Sequence, residues 1–151
     1  MLELATMDNW QDINRISGQV AALHSAWRPD LFRYAEISYP KEVLEQLIRE
    51  KSIFVAKVGG SVIGYTAFWI WDTNGACSVE RKVMNINDFA VDEPYRNQGF
   101  GTEMMRELRI LAQAFRCSDL QLTVYPQNDD AVAFYQKCGF TIKSIDMQRK
   151  V

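Results

Sequence analysis

Residues 95–102 read Tyr-Arg-Asn-Gln-Gly-Phe-Gly-Thr. Two glycines bracket one aromatic residue. An arginine and two amides precede them, and a threonine follows. Bare backbone beside that much hydrogen-bonding capacity suits the close approach of an anion. The setting supports this reading: a β-rich run, Lys-Val-Met-Asn-Ile-Asn-Asp-Phe-Ala-Val (82–91), comes before, and an amphipathic helical run comes after. A helix N-terminus offers unpaired backbone N–H groups and the positive end of the helix dipole. Gly99 and Gly101 leave room for an anion to reach them, Arg96 adds charge, and the Thr102 hydroxyl adds a donor. A phosphate-bearing ligand is the expected tenant.

Two familiar phosphate loops do not match. A P-loop needs Lys after its second glycine, and none follows here. The dinucleotide fingerprint G-x-G-x-x-G would begin at Gly99 and require glycine where Met104 stands. That unit also opens its domain, whereas this stretch lies two-thirds of the way along the chain. What remains is R-x-x-G-x-G on a strand-to-helix turn.

The elements that must position this turn can be read from spacing. "LELAT" (2–6) predicts a short strand. A helix follows over 8–27, capped by Asp8 or Asn9, with Ile13, Ile16, Val20, Leu23 and Trp27 on one face. Pro40 suits the first turn of a second helix whose apolar face is Val43, Leu44, Leu47 and Ile48. Gly59-Gly60 separates two β-rich runs and predicts a two-residue hairpin, because that turn needs positive φ. Residues 72–78 read as loop. The helix after the glycines shows Met104, Leu108, Leu111, Ala112 and Phe115 on one face. "DLQLTVY" (119–125) reads as a strand, and 128–139 as a short helix capped by Asn128 or Asp129 and closed by Gly139. "FTIKSIDMQRK" (140–150) reads as the last strand. The strand 82–91, its helix and the strand 119–125 form a parallel crossover, while the first half pairs antiparallel. The class is α/β or α+β with a mixed sheet.

Composition narrows the function. A chain of 151 residues with 48% hydrophobic and 24% charged residues is expected to form one domain, 1–151, with a real core. The formal net charge of −2 and the lack of a basic stripe exclude a nucleic-acid surface. Cys77, Cys117 and Cys138 are odd in number and widely spaced, which fits a reducing cytoplasm rather than a disulfide framework. With one histidine, His24, no metal site is expected. The N-terminus does not read as a signal peptide, and no apolar run is long enough to span a bilayer, so no membrane partner is expected.

A second signature stands downstream. "NDDAVAFYQKCGF" (128–140) has the form N-x-x-A-x-x-F-Y-x-x-x-G-F, one helix and one strand after "NDFAVDEPYRNQGFGTEMM". Together these resemble the GCN5-related N-acetyltransferases (GNAT), over essentially the whole chain and most specifically in its C-terminal half. The resemblance implies a mixed, mostly antiparallel central sheet with helices on both faces and splayed parallel strands 82–91 and 119–125. It implies acetyl-CoA (coenzyme A) as co-substrate, its arm lying between those strands. Backbone groups of Phe89, Ala90 and Val91 would pair with the arm. Arg96 and the N–H groups of Asn97, Gln98, Gly99, Phe100, Gly101 and Thr102 would hold the pyrophosphate. Asn128 and Ala131 would flank the arm from the other side, and Tyr135 would stand near the thioester sulfur.

The implied reaction is transfer of acetyl to a primary amine, of a small molecule or of a peptide, by direct attack in a ternary complex. Tyr135 would protonate the departing thiolate, since a phenol stays protonated at neutral pH. Many relatives carry adjacent acids before this strand's F-x-V. Here Asn87 replaces the first, and strand alternation predicts Asn87 and Asp88 on opposite faces. Asp88, or Glu80 through water, is the candidate base. On spacing alone, Ala131, Phe134, Tyr135 and Cys138 read equally as a packing face. His24 reads as a partly buried helix residue. Tyr65, Trp69 and Trp71 share a strand face and read first as core. Homodimers are common among relatives, so a second copy is a candidate partner. The missing acid at Asn87 also motivates the alternative of a non-catalytic acyl-CoA-binding regulatory module.

Overall fold

The computed structural model describes residues 1–151. Five strands form one sheet in the order β1 (Leu2–Leu4), β2 (Ile53–Val58), β3 (Ser61–Thr73), β4 (Arg81–Val91) and β5 (Asp119–Leu122). All neighbours are antiparallel except β4 and β5, which run parallel. Helices α1 (Trp10–Trp27) and α2 (Lys41–Arg49) cover one face, and α3 (Phe100–Ala114) and α4 (Asp129–Lys137) the other. This is the mixed architecture expected of the sequence.

Each face has its own core. Ile13 and Ile16 of α1 and Leu44 of α2 meet Ile53, Val55, Tyr65 and Ala67. Met105, Leu108 and Ala112 of α3 meet Phe68, Met84 and Ile86, with Phe134 and Tyr135 of α4 packed alongside. Burial of such side chains contributes roughly 1.5–3 kcal/mol apiece. Gly64 lets the layers close: a Cβ there would stand 2.7 Å from the Ala90 carbonyl oxygen and 2.9 Å from Met104 Sδ.

Several local expectations shift. Asn9 does not cap α1 forward; its Oδ1 turns back to accept the Thr6 N–H at 2.9 Å across a short 3-10 turn. Pro40 precedes the first turn of α2. Val43 and Leu23 point outward, at 43% and 41% exposure, because neither faces the sheet. Strand β3 runs to Thr73, so the loop is 74–80. The strand expected over 119–125 stops at Leu122, where its ladder with β4 ends. The last expected strand does not form: residues 140–151 bond to no ladder, and 141–151 are exposed. A strand is defined by its neighbour, and no strand of this chain bonds that segment.

Candidate active site

Strand β4 pairs with β5 only from Val83–Asp119 to Ile86–Leu122. Beyond that point β4 continues to Val91, bonded to β3 alone. The change coincides with a β-bulge: Ala67 lies opposite Asp88 and Phe68 opposite Ile86, leaving Asn87 as the extra residue. A bulge bends its strand and increases the local twist. From there on the edge of β4 at Phe89, Ala90 and Val91 has no strand partner on the β5 side, which leaves a gap between the two strands.

The bulge also changes the aim of two side chains. Alternation predicts Asn87 and Asp88 on opposite faces. Instead both lie on the α1–α2 face, because the extra residue resets the period. Asn87 Oδ1 accepts the Trp69 indole N–H at 2.9 Å, and Asp88 Oδ2 accepts the Tyr39 hydroxyl. Tyr65, Ala67 and Trp69 are alternate residues of β3 and mark that face.

Asp88 sits in an aromatic setting. Tyr39 packs edge-on against Tyr65, ring centroids 5.8 Å apart. Tyr65 is fully buried, and its hydroxyl, between Ser17 and Tyr39, forms no bond of normal geometry to either. Burial pushes the Asp88 carboxyl above the usual carboxylate range, partly offset by the Tyr39 hydroxyl and by His24. Burial lowers His24, partly offset by the charge of Asp88. Its ring lies 5.2 Å from Phe32 and 5.9 Å from Tyr125, and Phe32 meets Tyr125 edge-on at 5.3 Å. Five aromatic residues, Tyr39, Tyr65, His24, Phe32 and Tyr125, thus gather near the Asp88 carboxyl. Trp69 is 47% exposed and stacks on Trp71, so of the three aromatics on this face of β3 only Tyr65 is true core.

Tyr135 faces the same region from α4. It packs edge-on with Phe134, Phe140 and Phe89 at 5.3, 5.7 and 6.3 Å. Burial, then the charges of Asp88 and Cys138, push its hydroxyl up to about 12. It therefore keeps its proton at neutral pH. Asn128 caps α4, its Oδ1 accepting the Ala131 N–H at 3.2 Å, which leaves its amide N–H2 for another partner.

The turn that carries the glycines lies at the end of β4. Asn97 and Gly99 both have positive φ, 61° and 89°. Gly99 is the N-cap of α3, and there any side chain would be strained. The backbone N–H groups of residues 97 to 102 bond to no backbone acceptor. Six backbone donors before and within the first turn of α3 are thus left without a backbone acceptor, where the helix dipole adds positive potential. Gly101 admits α4: a Cβ would stand 3.4 Å from the Phe134 ring. This donor set fits a pyrophosphate.

A clamp that sequence reading missed fixes this turn. Asp92 is 3% exposed and accepts from Arg15 at 2.6 Å and Gln19 at 2.7 Å. Burial alone would raise Asp92, but Gln19 and Arg15 outweigh it and hold the carboxyl below its usual range. Gln19 Oε1 accepts the Glu93 N–H at 3.0 Å and the Arg96 guanidinium at 2.8 Å. Arg96 Nε donates to the Val91 carbonyl at 2.9 Å. Arg96 thus faces the protein and shapes the turn. Glu80 stands in the loop before β4, eight residues from Asp88, roughly 26 Å of extended strand away. The structure does not bring it to the cleft.

Comparison with known proteins agrees with this geometry. Residues 20–140 match the model of the acetyltransferase (GNAT) family, and the chain belongs to that family. It is 27% identical over 119 residues to an uncharacterized N-acetyltransferase of Methanocaldococcus jannaschii, covering 77% of this chain and 51% of the relative. It is 26% identical over 82 residues to the spermine/spermidine N(1)-acetyltransferase of Bacillus subtilis, covering 54% and 53%. The chain spans about half the length of the curated relatives it matches. A mutant of the BH1408 protein from Bacillus halodurans superposes with a TM-score of 0.94 at 23% identity, over 100% of this chain and 99% of that one.

Proposed function

We propose that residues 1–151 form one acetyl-CoA-dependent N-acetyltransferase domain acting on a primary amine. The observation that carries this reading is the row of six unpaired N–H groups at the α3 N-terminus, set where β4 parts from β5. The parted strands leave the Phe89–Val91 edge for the pantetheine arm, with Asn128 and Ala131 opposite. Acetyl-CoA supplies an activated acetyl group as a thioester.

The chain's residues then have defined tasks. Asp88 takes the proton of the attacking amine, directly or through water, as the nitrogen–carbon bond forms. A backbone N–H near Val91 stabilises the developing oxyanion. The carbon–sulfur bond breaks, and Tyr135 gives its proton to the sulfur. A carboxyl raised by burial is better matched to accept a proton near neutral pH than an exposed one. The aromatic wall of His24, Phe32 and Tyr125 beside Asp88 suits an amine with an apolar stem. Relatives named for spermine/spermidine and for N-alpha acetylation support an amine acceptor of either kind. Asn87, bonded to Trp69, is no base, and this motivates the second reading of an acyl-CoA-binding module without turnover.

The test is an amine screen, from polyamines to peptide N-termini, read as release of the CoA thiol. The account expects turnover with at least one amine class and formation of acetylated product. Tight acetyl-CoA binding with no turnover across all classes would favour the non-catalytic reading.

A further inference from the structure

We propose that the acceptor is the α-amine of an acidic peptide, read by a strip of side-chain donors that begins beside Asp88. This deepens the N-acetyltransferase reading and rests on it.

The strip crosses the face of the sheet that carries Asp88. Trp69 of β3 stands opposite Asn85 of β4, and Asn85 opposite Gln121 of β5. The bulge adds Asn87 to the same face. Their side chains form one continuous chain of hydrogen bonds. The Trp69 indole N–H and Asn85 Nδ2 both donate to Asn87 Oδ1, at 2.9 and 3.1 Å. Gln121 Nε2 donates to Asn85 Oδ1 at 3.3 Å, and Lys143 Nζ donates to Gln121 Oε1 at 2.7 Å.

The two ends fix the sense of this chain. An indole and an ammonium only donate. Trp69 therefore draws the Asn87 oxygen to itself, and Lys143 draws the Gln121 oxygen. The ends then join through Asn85 in one consistent way. Every side-chain amide oxygen of the strip is thus already accepting. What stays free are donors: both amide protons of Asn87, one each on Asn85 and Gln121, and two on Lys143.

Such a surface selects its ligand by chemistry. The distal ammonium of a polyamine is itself a donor and finds no idle amide oxygen on the strip. Asp119, the neighbouring carboxylate on β5, already holds Arg81 at 3.4 Å and Ser118 Oγ at 2.6 Å. A peptide offers what the strip lacks, a carbonyl oxygen about every 3.3 Å of extended chain. The path from Asp88 through Asn87 and Asn85 to Gln121 is roughly 10 Å, about three extended residues. An acidic side chain on the second or third residue then meets Lys143.

The α-amine also suits a strand whose first acid is replaced by Asn87. It loses its proton at about 7.7–8.0, against about 10.4 for a lysine-type amine, so less is asked of Asp88. The nitrogen–carbon bond forms at the α-nitrogen and the carbon–sulfur bond of the thioester breaks. The amine's proton leaves through Asp88, and the sulfur takes one from Tyr135.

The experiment compares kcat/KM at saturating acetyl-CoA for the amidated peptides Ala-Glu-Glu and Ala-Lys-Lys, an N-blocked lysine peptide and spermidine. The acidic peptide should exceed each of the others by about tenfold or more. Asn85→Asp combined with Gln121→Glu keeps the side-chain shapes and exchanges free donors for oxygens. With circular dichroism unchanged, KM for Ala-Glu-Glu should rise about tenfold, kcat should change less, and the preference for the acidic peptide should fall. Lys143→Glu, on the exposed C-terminal segment, should lower the same preference by itself. Spermidine or the basic peptide used as well as the acidic one overturns the inference and leaves the N-acetyltransferase reading standing. So does a preference for the acidic peptide that these variants leave intact. No turnover with any of the acceptors removes the wider reading, and this inference with it.

Discussion

The proposed chemistry rests on two side chains that burial tunes in opposite senses of usefulness. Tyr135 is a weaker acid than a free phenol and keeps its proton for the leaving sulfur. Tyr135→Phe should lower kcat by about 10²–10⁴, with the acetyl-CoA Kd changed less than about threefold; titration and steady-state kinetics separate the two. Equal loss of binding and rate would make Tyr135 a packing residue. Asp88 holds its proton more tightly in the folded chain than in the unfolded one. The rate should therefore rise as Asp88 ionises, with an acid limb above the ordinary carboxylate range of about 3.9. Asp88→Asn should remove that limb and lower the rate by about 10²–10⁴. The same shift has a sign for stability. Stability falls as pH climbs from the unfolded pKa through the folded one, and stays lower above it. At neutral pH Asp88→Asn should thus raise Tm, by about 2–4 °C for each kcal/mol relieved. A lower Tm in the asparagine variant would show that the ionised carboxyl holds the fold together.

At the scale of elements, the clamp between α1 and the turn after β4 sets the shape of the proposed anion site. Gln19 serves Asp92, Glu93 and Arg96 at once. Gln19→Leu should leave those groups misaligned and weaken acetyl-CoA binding about tenfold, the equivalent of 1.4 kcal/mol, with kcat at saturation nearly unchanged. A fall in kcat alone would place Gln19 in the chemistry instead. Gly99→Ala, at φ 89°, should destabilise the chain by about 1–2 kcal/mol, read as a lower denaturation midpoint. These elements also show where sequence is readable. The Gly59-Gly60 hairpin, the apolar face of α3 and the Asn128 cap are local, and their residues name them. The bulge at Asn87 is not, since an inserted residue alters pairing without a signature of its own. The Asp92–Gln19 contact spans 73 positions, and no spacing rule reaches that far. The segment 140–150 has strand-like residues but no bonded neighbour, so the pattern was present and the ladder was not.

At the scale of the molecule, two helices on each face hold a sheet that is continuous on one side and split on the other. The split supplies the proposed site. The anion turn, the cleft and Tyr135 converge on one ligand class, and this convergence is the central claim. It is tested most directly by calorimetric titration of the folded chain with acetyl-CoA, with ATP and NAD as controls. The account predicts one acetyl-CoA per chain, bound in preference to both nucleotides. Heat from ATP or NAD but not from acetyl-CoA, or none from any of the three, would contradict it and leave the glycine turn as a turn alone.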